Sequence, residues 1–176
     1  LFEVFADQIR AAGDWAGQPI PWLIMTSPLN HAQTMRFFED RDWLGLDRAQ
    51  VRFFTQGVMP SFCPRTGRLL LAGKGSLATN PDGHGGVVRA LSRSGELERL
   101  ERAGVEHLSY FQVDNPLVPP IDPLFLGAHA GAGGAPSSGE FSSKMVAKAQ
   151  ANEKVGVFAR RGGKTCVVEY SDLPGA

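Results

Sequence analysis

Two short apolar runs, Trp22-Leu23-Ile24-Met25 and Val51-Arg52-Phe53-Phe54, lie about one helix apart in the chain, and this spacing constrains the fold most. Runs of this kind, without strict alternation, are the pattern of strands covered on both faces. Between them Met35, Phe37 and Phe38 belong to a helix that ends before Trp43 and Gly45, with Thr26-Ser27 placed to cap its start. Strand, helix and strand in this length make a crossover unit, and crossover units build parallel sheets.

The remainder is less regular. Leu1, Val4, Phe5 and Ile9 recur at helical spacing with Gly13 as a stop, which predicts an amphipathic helix at the start. Arg68 to Ala72 is expected as one strand of a hairpin beyond the turn-rich Pro64 to Gly67. Asn80 to Gly86 is too dense in glycine for regular structure, and helical periodicity resumes from Val87 to Leu100. His107 to Val113 is rich in β-formers and is expected as a strand carrying Asp114-Asn115 at its carboxyl end. Pro116 to Pro123 is expected to be extended, because its four prolines cannot sit inside a helix. Gly127 to Gly139 reads as a flexible loop after at most a short helix. Short strands are expected at Val146 to Lys148, Val155 to Ala159 and Thr165 to Tyr170, the last two joined as a hairpin across Arg161-Gly162-Gly163. The order is a parallel αβ core followed by a mixed or antiparallel portion, within one domain over residues 1–176.

Composition narrows the function. Eighteen basic and eighteen acidic side chains cancel, so no broad positive field exists to hold a nucleic-acid backbone or an anionic membrane. An anion must therefore be met locally. Cys63 and Cys166 stand outside any CxxC or Cys/His spacing, which suggests neither a disulfide framework nor a zinc site and fits a reducing, cytoplasmic setting. No apolar run approaches the roughly 20 residues of a membrane span. The chain starts at Leu1 and ends at Ala176 just after a strand-like run, so both ends are expected to be truncations.

In an open parallel sheet, ligands bind beyond the carboxyl ends of the strands. Thr26-Ser27, Gln56-Gly57 and Asp114-Asn115 fall at such ends. Each also has a bland reading, as helix cap, strand end or turn. Three glycines in the four positions 83–86 let backbone approach a ligand closely, and they hold His84 between them, where its imidazole either reaches a ligand or is a solvated turn residue. His31, His107 and His129 have no comparable setting and are left structural or solvated. Asp114 could bind a divalent ion, though one carboxylate alone does not make a metal site. Glu169 is either an outward-facing strand residue or an acceptor for sugar hydroxyls.

These pieces, in this order, resemble a known family. Pro21-Trp22-Leu23-Ile24-Met25-Thr26-Ser27 is similar to the PWYIMTS segment of UDP-N-acetylhexosamine pyrophosphorylases, and Phe53 to Pro60 to their FFxQGxxP segment. Pro81 to Gly86 resembles PDGNGG, Val113-Asp114-Asn115 the VDN strand end, and Asp122-Pro123 with Phe125-Leu126-Gly127 the DPxFIG segment. Val155-Gly156-Val157 and Val167 to Ser171 resemble VGV and VVEYSE. The chain looks like part of a UDP-sugar pyrophosphorylase.

The resemblance implies a Rossmann-like, three-layer nucleotidyltransferase core of GT-A type with a mixed, mostly parallel sheet. It implies an enzyme that joins UTP to a sugar 1-phosphate with Mg²⁺, N-acetylglucosamine 1-phosphate favoured and glucose 1-phosphate close behind. Gln56 and Gly83 would contact uracil, Asp114 would lie at the phosphates and the metal, and His84, Gly156 and Glu169 would face the sugar. Lys144 and Lys148 match two lysines near the KVVxK segment and receive no role. His84 replaces the asparagine of the N-acetylhexosamine enzymes, and GHG is found instead in UDP-glucose and broad UDP-sugar enzymes. The family's GGxGTRxG loop would precede Leu1, so the chain alone is expected to be inactive. A non-catalytic sugar-nucleotide binding module is the alternative.

Overall fold

The computed structural model describes residues 1–173, and the chain divides into two compact units, one over Leu1–Leu126 and one from Gly127 onward. The first opens with α1 (Phe2–Ala16), whose Phe5, Ala6 and Ile9 are buried at helical spacing. The helix runs past the expected stop. Gly13 lies inside it on the buried face, where a Cβ would come within 3.1 Å of the Gln18 carbonyl oxygen, and the true terminator is Gly17 at φ 69°.

β1 (Trp22–Thr26), α2 (His31–Glu39) and β2 (Val51–Thr55) form the expected crossover, with β1 and β2 parallel and Trp22 opposite Val51. Alternate side chains of the pair enter two cores. Trp22, Ile24 and Val51 pack with Phe5, Ile9 and Phe38 from α1 and α2. Leu23, Met25 and Phe54 pack on the other face with Ala90, Leu91 and Leu97. Both faces of a two-stranded parallel pair are thus covered by helices, which is why its strands carry so few polar residues. Phe38 is fully buried among Phe2, Trp22, Phe37 and Phe53 rings at 5.2–5.8 Å. Its truncation to Ala would cost about 3–5 kcal/mol.

Thr26-Ser27 does not cap α2 directly, since Asn30 occupies that position. The Asn30 side chain instead accepts from the Ser27 N–H at 2.8 Å.

β3 (Val58–Pro60), β4 (Leu71–Gly73), β5 (Ser76–Leu77) and β6 (Thr79–Pro81) make two small antiparallel pairs, β3 with β6 and β4 with β5. The hairpin arm predicted from Arg68 is therefore shorter, and the glycine-rich stretch begins as a strand and ends in a 3₁₀ turn, His84–Gly86. Helical periodicity over Val87 to Leu100 is divided into α3 (Val87–Arg93) and α4 (Glu96–Arg102). Gly95 breaks it at φ 76°.

His107 to Val113 forms no backbone ladder among the described residues. Residues suited to a strand pair only where an edge lies beside them; here Phe111 anchors the segment on Phe5 at 4.9 Å, and the Ser109 hydroxyl donates to the Pro120 carbonyl at 2.5 Å. Pro123 is the first residue of α5 (Pro123–His129) and not the end of an extended run, a place where its missing N–H costs nothing.

In the second unit, Val146 to Lys148 is not a strand. β7 (Val157–Arg161) and β8 (Lys164–Val168) form the expected hairpin, turning on Gly162 and Gly163 at φ 57° and 80°. Among the described residues the sheets are four pairs, only one of them parallel. No described helix is long and apolar enough to cross a membrane.

Candidate functional site

The carboxyl end of β2 is the natural place to look, and the structure builds a cleft there. Thr55, Gln56, Gly57, Asp82, Arg89 and Arg93 line about 270 Å³. The Gln56 N–H donates to the Thr26 carbonyl at 2.8 Å, which extends the parallel ladder by one residue and fixes the backbone from which the carboxamide projects. That carboxamide is half-buried in the cleft wall, with both donor and acceptor capacity to offer a ligand.

The turn carrying Gly83 and His84 is tied to the same strand end, because the Asp82 N–H donates to the Gly57 carbonyl at 3.0 Å. Gly83 takes φ 74°, ψ −179°, a conformation that L side chains rarely adopt, and a Cβ placed on it would meet nothing within 4 Å. Its glycine is required by backbone geometry alone.

His84 lies exposed with its ring stacked on Tyr110, the centroids 6.5 Å apart and the planes 22° from parallel. Asp114 is exposed in the turn that closes when the Asn115 N–H donates to the Gln112 carbonyl. Partial burial, and then the nearby Asp114 carboxylate, push the Tyr110 hydroxyl above its ordinary range. Tyr110 therefore links the environments of His84 and Asp114. Composition alone could not single it out, since a tyrosine within a run of β-formers has the pattern of an ordinary strand residue.

Thr26 belongs to the scaffold. Its hydroxyl donates to the Phe54 carbonyl at 3.2 Å and lies 2.7 Å from His31 Nδ1, so this candidate locks β1 to β2 from a buried position. His31 is likewise structural. Glu96 at the start of α4 accepts from Arg52 Nε at 2.8 Å and Arg99 Nε at 2.7 Å, which fastens β2 to α4. Burial works to raise the Glu96 pKa, but the hydrogen bonds from Arg99 and Arg52 outweigh it and leave the carboxyl below its ordinary range.

Gly156 and Glu169 belong to the second unit and are neighbours there. A Cβ on Gly156 would press on Val167 Cγ1 at 3.0 Å and come within 3.7 Å of Glu169 Oε1. Glu169 stands just past β8, before a 3₁₀ turn, and is exposed. In the same unit Lys148 Nζ donates to the Ala151 carbonyl at 3.3 Å, and His129 Nδ1 lies 2.9 Å from the Ser142 hydroxyl. Among the described residues no three His, Cys, Asp or Glu side chains are grouped to hold a metal by themselves.

A family model described as UTP–glucose-1-phosphate uridylyltransferase matches residues 1–176. The chain belongs to this family. Relatives within it include UDP-N-acetylglucosamine diphosphorylase 2 of Arabidopsis thaliana, 38% identical over 186 residues, and UDP-N-acetylglucosamine pyrophosphorylase of Saccharomyces cerevisiae, 34% identical over 176 residues. Each alignment takes in 98% of this chain and 36% of the relative. The chain thus spans about a third of the length of the curated relatives it matches. Among solved structures, the uridine diphosphate N-acetylglucosamine pyrophosphorylase of Trypanosoma brucei, crystallised with an inhibitor, superposes with a TM-score of 0.77 at 31% identity, covering 98% of this chain and 36% of that one. The resemblance to UDP-sugar pyrophosphorylases therefore holds at the level of family membership, across both units.

Proposed function

We propose that the intact protein is a uridylyltransferase that forms a UDP-sugar and pyrophosphate from UTP and a sugar 1-phosphate, N-acetylglucosamine 1-phosphate being favoured over glucose 1-phosphate. The observation that carries this reading is the cleft beyond β2, where the Gln56 carboxamide opens beside the turn that bears Gly83 and His84. A carboxamide can pair with the imide edge of uracil, and backbone at a glycine can lie flat against the base. The names of the relatives favour the N-acetylated sugar. The fold we propose for the whole catalytic domain is a Rossmann-like, three-layer one of GT-A type, extending the helix-covered parallel pair.

In this reading an oxygen of the sugar phosphate attacks the α-phosphorus of UTP in line, and the bond to the β-phosphate breaks as pyrophosphate leaves with its electrons. No covalent intermediate is required, and the work of the site is to position two anions and neutralise their charge. Asp114 would hold Mg²⁺ together with phosphate oxygens of the substrates; an exposed carboxylate suits that ion, which is commonly bound by one or two carboxylates plus phosphates and water. The ion would supply charge neutralisation at the phosphates. His84, Gly156 and Glu169 would meet the sugar.

The test is pyrophosphate release by the intact gene product with UTP, using N-acetylglucosamine 1-phosphate and glucose 1-phosphate in parallel. Turnover dependent on both substrates is expected, faster with the N-acetylated sugar, and none from residues 1–176 alone. Binding of UTP or UDP-sugar without turnover would favour the non-catalytic binding module instead.

A further inference from the structure

Three glycines surround Asp82, and they are glycine for different reasons. Gly83 needs its left-handed backbone. Gly57 and Gly86 do not: neither has a positive φ, and Gly86 sits at φ −78°, ψ −2°, which any residue can adopt. What a side chain would meet at both positions is the Asp82 carboxylate. A Cβ on Gly57 would overlap Asp82 Oδ2, and one on Gly86 would lie 2.6 Å from Oδ2 and 2.7 Å from Oδ1. The carboxylate is packed against the α-carbons of the residue after Gln56 and of the residue that closes the turn after His84.

One oxygen of this carboxylate takes no part in holding it there. Asp82 Oδ1 is buried and has no hydrogen-bond partner among the described residues. A buried acceptor left in that state is costly, and more so if charged. Arg89 and Arg93 line the same cleft as Asp82 and bring positive charge to it.

We infer that Asp82 is a positioning residue, a wedge seated on Gly57 and Gly86 that sets the spacing between the Gln56 carboxamide and the Gly83 backbone. This rests on the reading of Gln56 and Gly83 as the uracil contacts. Two groups that must meet one planar base have to be held within a fraction of an ångström of the productive spacing. The Asp82 backbone hydrogen bond fixes one end of that spacing, and its side chain fixes the separation of the two loops. The loss of Asp82 lets the loops close or slip, and a side chain on Gly86 forces them apart.

The experiment is a double-mutant cycle in the intact protein with Asp82→Ala, Gly86→Ala and the pair together, plus Asp82→Asn as the conservative variant. UTP and CTP are compared at saturating sugar phosphate, and urea midpoints are measured for each variant. Each single alanine variant is expected to raise the KM for UTP about tenfold and to reduce the preference for UTP over CTP by a similar factor, since base discrimination depends on where the carboxamide sits. The KM for sugar phosphate is expected to stay within about threefold. The pair is expected to recover much of both losses, because the new methyl group enters the space the carboxylate left, and Asp82→Asn, which keeps the shape, is expected to stay near the parent. A wild-type protein that shows turnover, with Asp82→Ala folded and unchanged in UTP KM and UTP/CTP preference, would overturn the inference alone. So would effects of the two alanines that simply multiply. If the wild type binds neither nucleotide, the functional reading fails first and takes the inference with it.

Discussion

His84 and Asp114 show how little a residue says until its neighbours are known. An imidazole between glycines is a turn residue in one setting and a ligand group in another; its stacking on Tyr110, with the Asp114 carboxylate acting on the same tyrosine, gives the exposed His84 ring a defined neighbour. His84→Asn is expected to move the ratio of kcat/KM toward the N-acetylated sugar, because a carboxamide can both donate to and accept from an acetamido group. Parallel kinetics with the two sugar phosphates check this, and an unchanged ratio would remove His84 from the specificity argument. Asp114 is exposed, so Asp114→Ala should leave the urea midpoint in place while lowering kcat about a hundredfold or more, the scale on which a lost phosphate-charge stabiliser acts. Near-normal turnover would end the metal assignment.

At the scale of elements, the clamp of Glu96 between Arg52 and Arg99 matters most, because it fastens β2, the strand that leads into Gln56, to α4. Glu96 is buried while the Arg52 and Arg99 side chains are 40% and 32% exposed, so the pair is worth less than a fully buried one. Glu96→Gln is expected to cost about 1–2 kcal/mol at neutral pH. The folded-state carboxyl is lowered, so its stabilisation is complete above the ordinary unfolded value near about 4.3 and is lost as pH falls through the folded value. Urea midpoints of parent and variant should therefore differ at pH 7 and converge in acid; a gap that persists once the folded-state carboxyl is protonated would mean the charge is not what stabilises the contact. The elements themselves were legible to different degrees. β1 and β2 were readable because apolar runs covered on both faces leave a direct trace in sequence. The break at Gly95 was not, because hydrophobic periodicity continues across it and only the backbone turns. His107 to Val113 has the composition of a strand and no ladder, since composition does not supply a neighbouring edge.

For the molecule as a whole, the sequence determined the family, the parallel crossover and the closing hairpin, because each rests on local pattern: continuous apolar runs, helical spacing between them, and paired glycines at a turn. It also marked Gln56, Gly83, His84, Asp114, Gly156 and Glu169 as the residues to locate, without saying which of them touch. Only the tertiary structure decided that the Asp82 carboxylate lies against Gly57 and Gly86, that Tyr110 is the partner of His84, and that Thr26 is spent on holding two strands together. It also assigned Gly156 and Glu169 to a different compact unit from the other four. The physical reason is the same in each case. Periodicity and turn chemistry act between residues a few positions apart, whereas the contact of Asp82 with Gly57, the ring stack of His84 on Tyr110 and the Thr26 hydroxyl on Phe54 join positions 25 or more residues distant, and close packing rather than pattern decides what meets there.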